Sequence, residues 1–118
     1  MAFADNQIDR EYLSEISGGD ADFEQDLIQT FLEAAPGLIE SFRLAAESND
    51  PVRARHAAHT LKGSSRSIGA TTFATVCEEG EKAAREDDMS ACRVLSQSIQ
   101  DAFNALHAEG EVFLSEAA

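Results

Sequence analysis

Apolar side chains recur at intervals of three and four residues along most of the chain, which is the pattern of helices that bury one face. Only two prolines and seven glycines interrupt this pattern. No extended run of β-branched residues offers an alternative in strands. The periodicity therefore predicts an all-α protein.

Turn and capping residues divide the pattern into five helices. The glycine pair at 18–19 ends a short first helix, and Asp20 caps the second, in which Pro36 predicts a kink. Asp50 and Pro51 begin the third helix, and Gly69 ends it. We predict these helices over about residues 7–17, 20–45, 51–68, 71–86 and 90–114.

Four long helices with short connections predict an antiparallel four-helix bundle, preceded by a short additional N-terminal helix. At 118 residues the chain is long enough for one domain with its own core, so we expect a single domain over residues 1–118. The expected core positions on the second, fourth and fifth helices are Phe23, Leu27, Phe31, Leu38, Phe42, Ala45, Phe73, Val76, Cys77, Ala83, Ala84, Leu95, Ile99, Ala102, Leu106 and Phe113.

Composition narrows the classes of function. The chain has 22 acidic and 9 basic residues and a formal charge of -13, which disfavours binding to nucleic acids or anionic membranes. Cys77 and Cys92 have apolar or small neighbours and no metal-ligand spacing, so we expect two reduced, packed thiols rather than a disulfide. The N-terminus from Met1 has neither a basic region nor an apolar run, and no segment is apolar enough to span a membrane. These features predict a cytoplasmic protein.

The third helix separates into two faces of different character when its residues are placed at 100° intervals. The face within about 60° of His59 carries Val52, Arg55, His56, Lys62, Gly63 and Arg66. The opposite face carries Ala54, Ala57, Leu61, Ser64 and Ile68, and we expect it to meet the core. Residues 51–77 include four basic and no acidic residues, so we expect the exposed face to meet an anion.

Gly63 lies one turn after His59 on the exposed face. Glycine inside a helix costs about 1 kcal/mol relative to alanine, and core packing cannot require one on a solvent-exposed face. We interpret Gly63 as a position that leaves room for another molecule to approach the His59 imidazole.

The segment AHTLKGSSRSIGA resembles the signature of histidine-containing phosphotransfer (HPt) domains, A-H-x-L-K-G-x-x-x-x-x-G. The histidine, leucine, lysine and both glycines fall at the required offsets, and the similar helical layout covers about residues 8–114. The resemblance implies a four-helix bundle of two-component phosphorelays that carries a phosphoryl group on His59. The group would come from a receiver-domain aspartate or a kinase and pass to the aspartate of another response regulator.

The same resemblance implies roles for residues near His59. Members of the family often place Gln or Glu on the following helix to accept the Nδ1 proton, and a gapless continuation puts Glu81 at that position. Lys62 would neutralise the phosphoryl oxygens. Gly80 departs from the family, which usually has a larger apolar residue there, and this predicts looser packing of the fourth helix near Glu81.

The implied partners are response-regulator receiver domains and an upstream sensor or hybrid histidine kinase. We expect a monomer that has no kinase activity and no cofactor of its own. We also expect no metal site, because the receiver would supply Mg²⁺. Receiver domains gather acidic residues around their aspartate, so basic residues would form the docking surface. The residues assigned to this surface are Arg55, His56, Arg66 and Arg85.

Other interpretations remain open at this level. The chain could be the phosphoacceptor module of a chemotaxis-type histidine kinase, although its bounds favour a stand-alone protein or an excised domain. It could also be a non-catalytic acidic helical adaptor that binds a basic partner. His56 and His59 share a face as zinc ligands do, but Lys62 beside them disfavours a cation. Glu81 and the arginines could be ordinary solvated side chains.

Overall fold

The computed structural model describes residues 7–116, and this range contains five α-helices and no strand. The helices are α1 (Arg10–Ser17), α2 (Ala21–Glu47), α3 (Pro51–Ser67), α4 (Thr71–Arg85) and α5 (Met89–Glu116). The all-α prediction is confirmed. The N-terminal stretch from Met1, which contributed to the prediction of a cytoplasmic protein, lies partly outside the described residues.

Aspartates cap the first three helices. Asp9, Asp20 and Asp50 each accept a hydrogen bond from the backbone N–H three residues later, which satisfies one of the free donors at a helix start. The cap at Asp9 corrects the predicted start of α1, because Gln7 and Ile8 precede the helix. Their backbone N–H groups instead donate to the Glu109 carboxylate on α5, at 2.7 and 2.6 Å.

Gly69 follows α3 with a φ of +77°, a conformation that glycine adopts without steric cost. The segment before α1 packs directly on it. The Asp9 N–H donates to the Gly69 carbonyl at 2.9 Å, and a Cβ at Gly69 would lie 2.9 Å from the Asp9 carbonyl oxygen. Backbone conformation and close packing therefore both require glycine here.

The four long helices form a closed ring of contacts around one core. Helix α2 packs against α3 and α5, α4 packs against the same two helices, and α1 contacts α2. The rings of Phe31, Phe73 and Phe103 meet at the centre, with centroids 5.9 to 6.4 Å apart. This arrangement is a four-helix bundle with one additional short helix, and it leaves α3 and α4 side by side.

Two expected core positions are wrong. Phe23 is 46% exposed, because it lies in the first turn of α2, where the neighbouring elements do not cover it. Ser64 is exposed and lines an open groove between α2 and α3. The next residue, Ser65, takes the buried position, and its hydroxyl donates to the Lys62 carbonyl at 3.0 Å.

The two cysteines are free and buried. Burial raises the pKa of the Cys77 thiol to about 12. A thiol with that pKa is protonated near neutral pH and reacts poorly. Along residues 7–116, no helix is both long enough and apolar enough to cross a membrane.

Candidate functional site

His59 lies in the middle of α3, and its side chain is 66% exposed. The exposure follows from the local sequence, since Ala54, Ala58 and Leu61 on the other side of the helix are completely buried. Burial of that apolar face holds α3 against the bundle and turns the imidazole outward.

Glu81 on α4 is the nearest partner of His59. The side chain of Glu81 is only 5% exposed, and its Oε2 lies 2.8 Å from His59 Nδ1. An ionised carboxylate can only accept hydrogen bonds, so Nδ1 is the nitrogen that carries the proton of the neutral ring. Within residues 7–116, Nε2 of the exposed imidazole has no hydrogen-bond partner.

The second oxygen of the Glu81 carboxylate is held by Lys62, whose Nζ lies 2.5 Å from Oε1. Burial alone would raise the pKa of Glu81, but the hydrogen bonds from Lys62 and His59 lower it below the ordinary value for a glutamate. The carboxylate is therefore ionised near neutral pH although it is almost fully buried.

The position of Lys62 differs from the sequence prediction. Helical phase put Lys62 on the exposed face, yet its side chain is only 17% exposed. The apolar stem of a lysine is long enough to lie along protein surface while the ammonium reaches a charged partner. That partner is Glu81, so Lys62 joins α3 to α4 in addition to lying one turn from His59.

Gly63 is exposed, and a Cβ built on it would meet no other group within 4 Å. Packing within the described part of the chain therefore gives no reason for a glycine at this position. The observation is compatible with the interpretation that another molecule needs the space beside His59.

Gly80 contradicts the expectation of loose packing. It is buried where α4 faces α2 and α5. A Cβ at Gly80 would lie 3.2 Å from Ile99 Cδ1, 3.2 Å from Phe42 Cζ and 3.3 Å from Phe42 Cε2. The Phe42 ring already fills the space that a larger residue at position 80 would need, so α4 is closely packed beside Glu81.

The basic residues in the first half of α3 lie in different surroundings. Arg55 and His56 line an open pocket together with His59, Glu81 and the 79% exposed Val52, an apolar residue for which we predicted no role. Helical phase was the signal that put Val52 on this face. Arg53 lies apart and donates from Nε to Ser41 on α2 at 3.2 Å.

The other two predicted docking residues pair with acids. Arg66 on α3 contacts Glu78 on α4 at 3.0 Å, and both side chains are exposed. Arg85 lies 3.8 Å from Glu81 Oε2 on the same helix. Of the predicted site residues, Glu81, Lys62 and Arg85 thus lie around His59, whereas Arg66 lies farther along α3. No group of three or more His, Cys, Asp or Glu residues that could hold a metal ion occurs between positions 7 and 116.

Comparison with known proteins identifies relatives of this arrangement. The family described as Hpt domain matches residues 26–109, a range that contains α3, α4, His59 and Glu81. The fold is similar to the crystal structure of histidine-containing phosphotransfer protein B (HptB) from Pseudomonas aeruginosa PAO1. That likeness has a TM-score of 0.83 and 24% sequence identity, over 97% of this chain and 96% of that chain. No curated protein sequence matches significantly.

Proposed function

Since this chain belongs to the Hpt domain family, whose role is histidine phosphotransfer in phosphorelays, we propose that His59 is its phosphorylated residue. The phosphoryl group comes from the aspartate of a receiver domain, or from a histidine kinase, and passes to the aspartate of another response regulator. The observation that carries this assignment is the contact of His59 Nδ1 with the buried Glu81 carboxylate at 2.8 Å, which leaves Nε2 of the exposed ring without a partner among residues 7–116.

The chemistry follows from that contact. The lone pair of Nε2 attacks the phosphorus of an aspartyl phosphate, an N–P bond forms, and the P–O bond to the aspartate breaks with release of its carboxylate. The ring retains the proton on Nδ1 and becomes a phosphorylated imidazolium. Glu81 stabilises this positive charge and keeps the ring in the nucleophilic tautomer.

Lys62 and Gly63 act on the same step. Lys62 neutralises phosphoryl oxygens beside Nε2 and holds the Glu81 carboxylate at 2.5 Å, so one ammonium serves both groups. Gly63 presents no side chain where the receiver must approach. Arg55, His56 and Arg85 form the rim that meets the acidic surface of the receiver, with Arg66 farther out.

We also propose the direction of the helices and the extent of the domain. The four long helices run antiparallel within one domain that spans residues 1–118. Contacts between α3 and α4 support this order, because His59 meets Glu81 while the later Arg66 meets the earlier Glu78. The domain acts as a cytoplasmic monomer without kinase activity, and its partners are receiver domains and an upstream sensor or hybrid kinase.

Phosphotransfer from a phosphorylated receiver tests the assignment of His59. A panel of receivers from the same organism is labelled with ³²P, mixed with the chain, and the product is examined for acid-labile, alkali-stable phosphate. The wild-type chain and a His107→Gln variant retain the label, because His107 lies on α5, outside the pocket that contains His59. His59→Gln loses it. Label on His59→Gln would refute the assignment, as would its loss from a folded His107→Gln variant.

A further inference from the structure

Helix α4 packs closely on Phe42 of α2 and Ile99 of α5 at Gly80. Carbon atoms in protein interiors have their optimal separation at about 3.5–4.0 Å. A Cβ at Gly80 would lie inside that distance from both Phe42 and Ile99, at 3.2 Å in each case. Phe42 and Ile99 are themselves completely buried, so neither side chain can turn into solvent to make room.

Glycine at this position needs an explanation because it is among the weakest helix formers. It lies in the interior of α4 with an ordinary helical conformation, so no turn or cap requires it. The large ring at Phe42 and the absent side chain at Gly80 are complementary in size. The missing side chain lets α4 lie closer to Phe42 than a larger residue would allow.

Glu81 is the next residue along α4, and its contacts tolerate little displacement. The two distances that define its position are 2.8 Å to His59 Nδ1 and 2.5 Å to Lys62 Nζ, both of them across to α3. A side chain at Gly80 requires a shift of a few tenths of an ångström in this contact. Because Phe42 and Ile99 are completely buried, we expect α4 to take part of that shift while His59 stays on α3. Functional groups must be held to within about 0.5 Å for full effect.

We propose that Gly80 is a positioning residue for the His59 site: its size match with Phe42 sets the distance at which Glu81 holds the imidazole. This inference rests on the proposed phosphotransfer function. Gly80 acts through Glu81 and does not itself contact the phosphoryl group. It also accounts for glycine at a position where the family usually has a larger apolar residue.

The His59 ring itself reports the effect. Two-bond ¹H–¹⁵N correlation spectra of the labelled chain distinguish imidazole protonated on Nδ1 from imidazole protonated on Nε2. In the wild-type chain the Nδ1–H form of His59 predominates. The Glu81→Ala variant gives the reference signal of a His59 ring that lacks its hydrogen-bond acceptor. Gly80→Ala shifts the His59 signal part of the way to that of Glu81→Ala and slows phosphoryl transfer roughly threefold to tenfold.

Gly110→Ala is the matched control. Gly110 is also a buried helix glycine, and a Cβ there would lie 2.9 Å from Leu32 Cδ1. It lies eleven residues along α5 from Ile99, or about 16 Å at 1.5 Å per residue. General overpacking would alter both variants alike, whereas a positioning role leaves the His59 signal of Gly110→Ala at the wild-type value.

Phe42→Leu combined with Gly80→Ala completes the test, because the smaller side chain at position 42 makes room for the added methyl group. We expect the His59 signal of the double variant to lie close to the wild-type value. This result can be measured even if the Gly80→Ala variant alone does not fold. A wild-type signal in Gly80→Ala, an equal shift in Gly110→Ala, or a folded double variant with a displaced signal would overturn the proposal. The spectra need no receiver, so they decide it even if the wild-type chain accepts no phosphoryl group.

Discussion

At the scale of single residues, the main feature is a carboxylate shared between two bases. Glu81 is almost fully buried, yet each of its oxygens has a partner, Nδ1 of His59 on one side and Nζ of Lys62 on the other. An unpaired charge in that position would be strongly destabilising, whereas a paired one is tolerated. The same contacts keep the Glu81 pKa below its ordinary value.

A lowered pKa makes the contribution of Glu81 to stability depend on pH. Because the folded-state pKa lies below the unfolded value, this contribution is present above the unfolded pKa and is lost as the pH falls through the folded one. Glu81→Gln should therefore reduce the free energy of unfolding by about 1 kcal/mol at pH 7, the difference between a charged and a neutral hydrogen bond. The difference in the free energy of unfolding between wild type and variant, here called the gap, should disappear in acid.

Urea titrations at a series of pH values from neutral to acid measure this gap. Glu79→Gln is the control, since Glu79 lies on the same helix, is exposed, and makes no hydrogen bond or ion pair with residues 7–116. A constant difference across the series, or an equal closing of the gap in the Glu79 variant, would contradict the assigned role of the Glu81 pair.

At the scale of helices, α3 combines a buried apolar face with an exposed face on which intrinsic stability is not optimised. Gly63 lowers the helix propensity of that face, and the open space around it shows that no internal packing offsets the loss. Natural proteins retain such weak points where function requires them. We therefore expect a substitution at Gly63 to change the stability of the helix little and to slow phosphotransfer strongly.

Gly63→Gln should separate folding from transfer. Helix propensity predicts that thermal stability stays equal or rises by about 0.5 kcal/mol, because the side chain extends into solvent. Its bulk should slow transfer from a phosphorylated receiver at least tenfold by obstructing the approach to Nε2. Gly37→Gln is the control, because Gly37 is likewise an exposed helix glycine with open space around its Cβ position, but on α2. Full transfer rates in Gly63→Gln would remove the steric argument.

At the scale of the whole molecule, charge is distributed unevenly. The chain carries a formal -13, yet residues 51–77 contain four basic and no acidic residues. Arg55 is exposed and has no ion-pair partner in the described structure, while Arg66 is engaged with Glu78. Such a field favours encounters that present an acidic partner surface to the His59 face and disfavours other orientations.

Charge reversal at Arg55 should slow association with a receiver roughly threefold to tenfold at low salt and flatten its dependence on ionic strength. Lys82→Glu is the control with the same change in net charge, because Lys82 is exposed on α4 and makes no ion pair with residues 7–116. Stopped-flow association at two salt concentrations measures both variants. Equal effects would mean that only the net charge matters.

Local physics explains what the sequence by itself determined. Capping aspartates and helical periodicity depend on residues within one or two turns, so five helices, the exposed face of α3 and its histidine could be predicted without a structure. The motif around His59 identified the Hpt family for the same reason, because its residues are contiguous in the sequence, on α3 and the turn after it. Helix ends were less accurate, as the start of α1 shows, since a cap at Asp9 competes with the periodic pattern.

Contacts between helices were decided only by the tertiary structure. Helical phase gives the direction of a side chain but not the distance to the neighbouring helix, so it could not predict that Lys62 folds back onto Glu81 or that Phe23 stays uncovered. The packing of Gly80 against Phe42 joins positions 38 residues apart on different helices. That spacing depends on how side-chain volumes fill a shared core, a property of the assembled bundle.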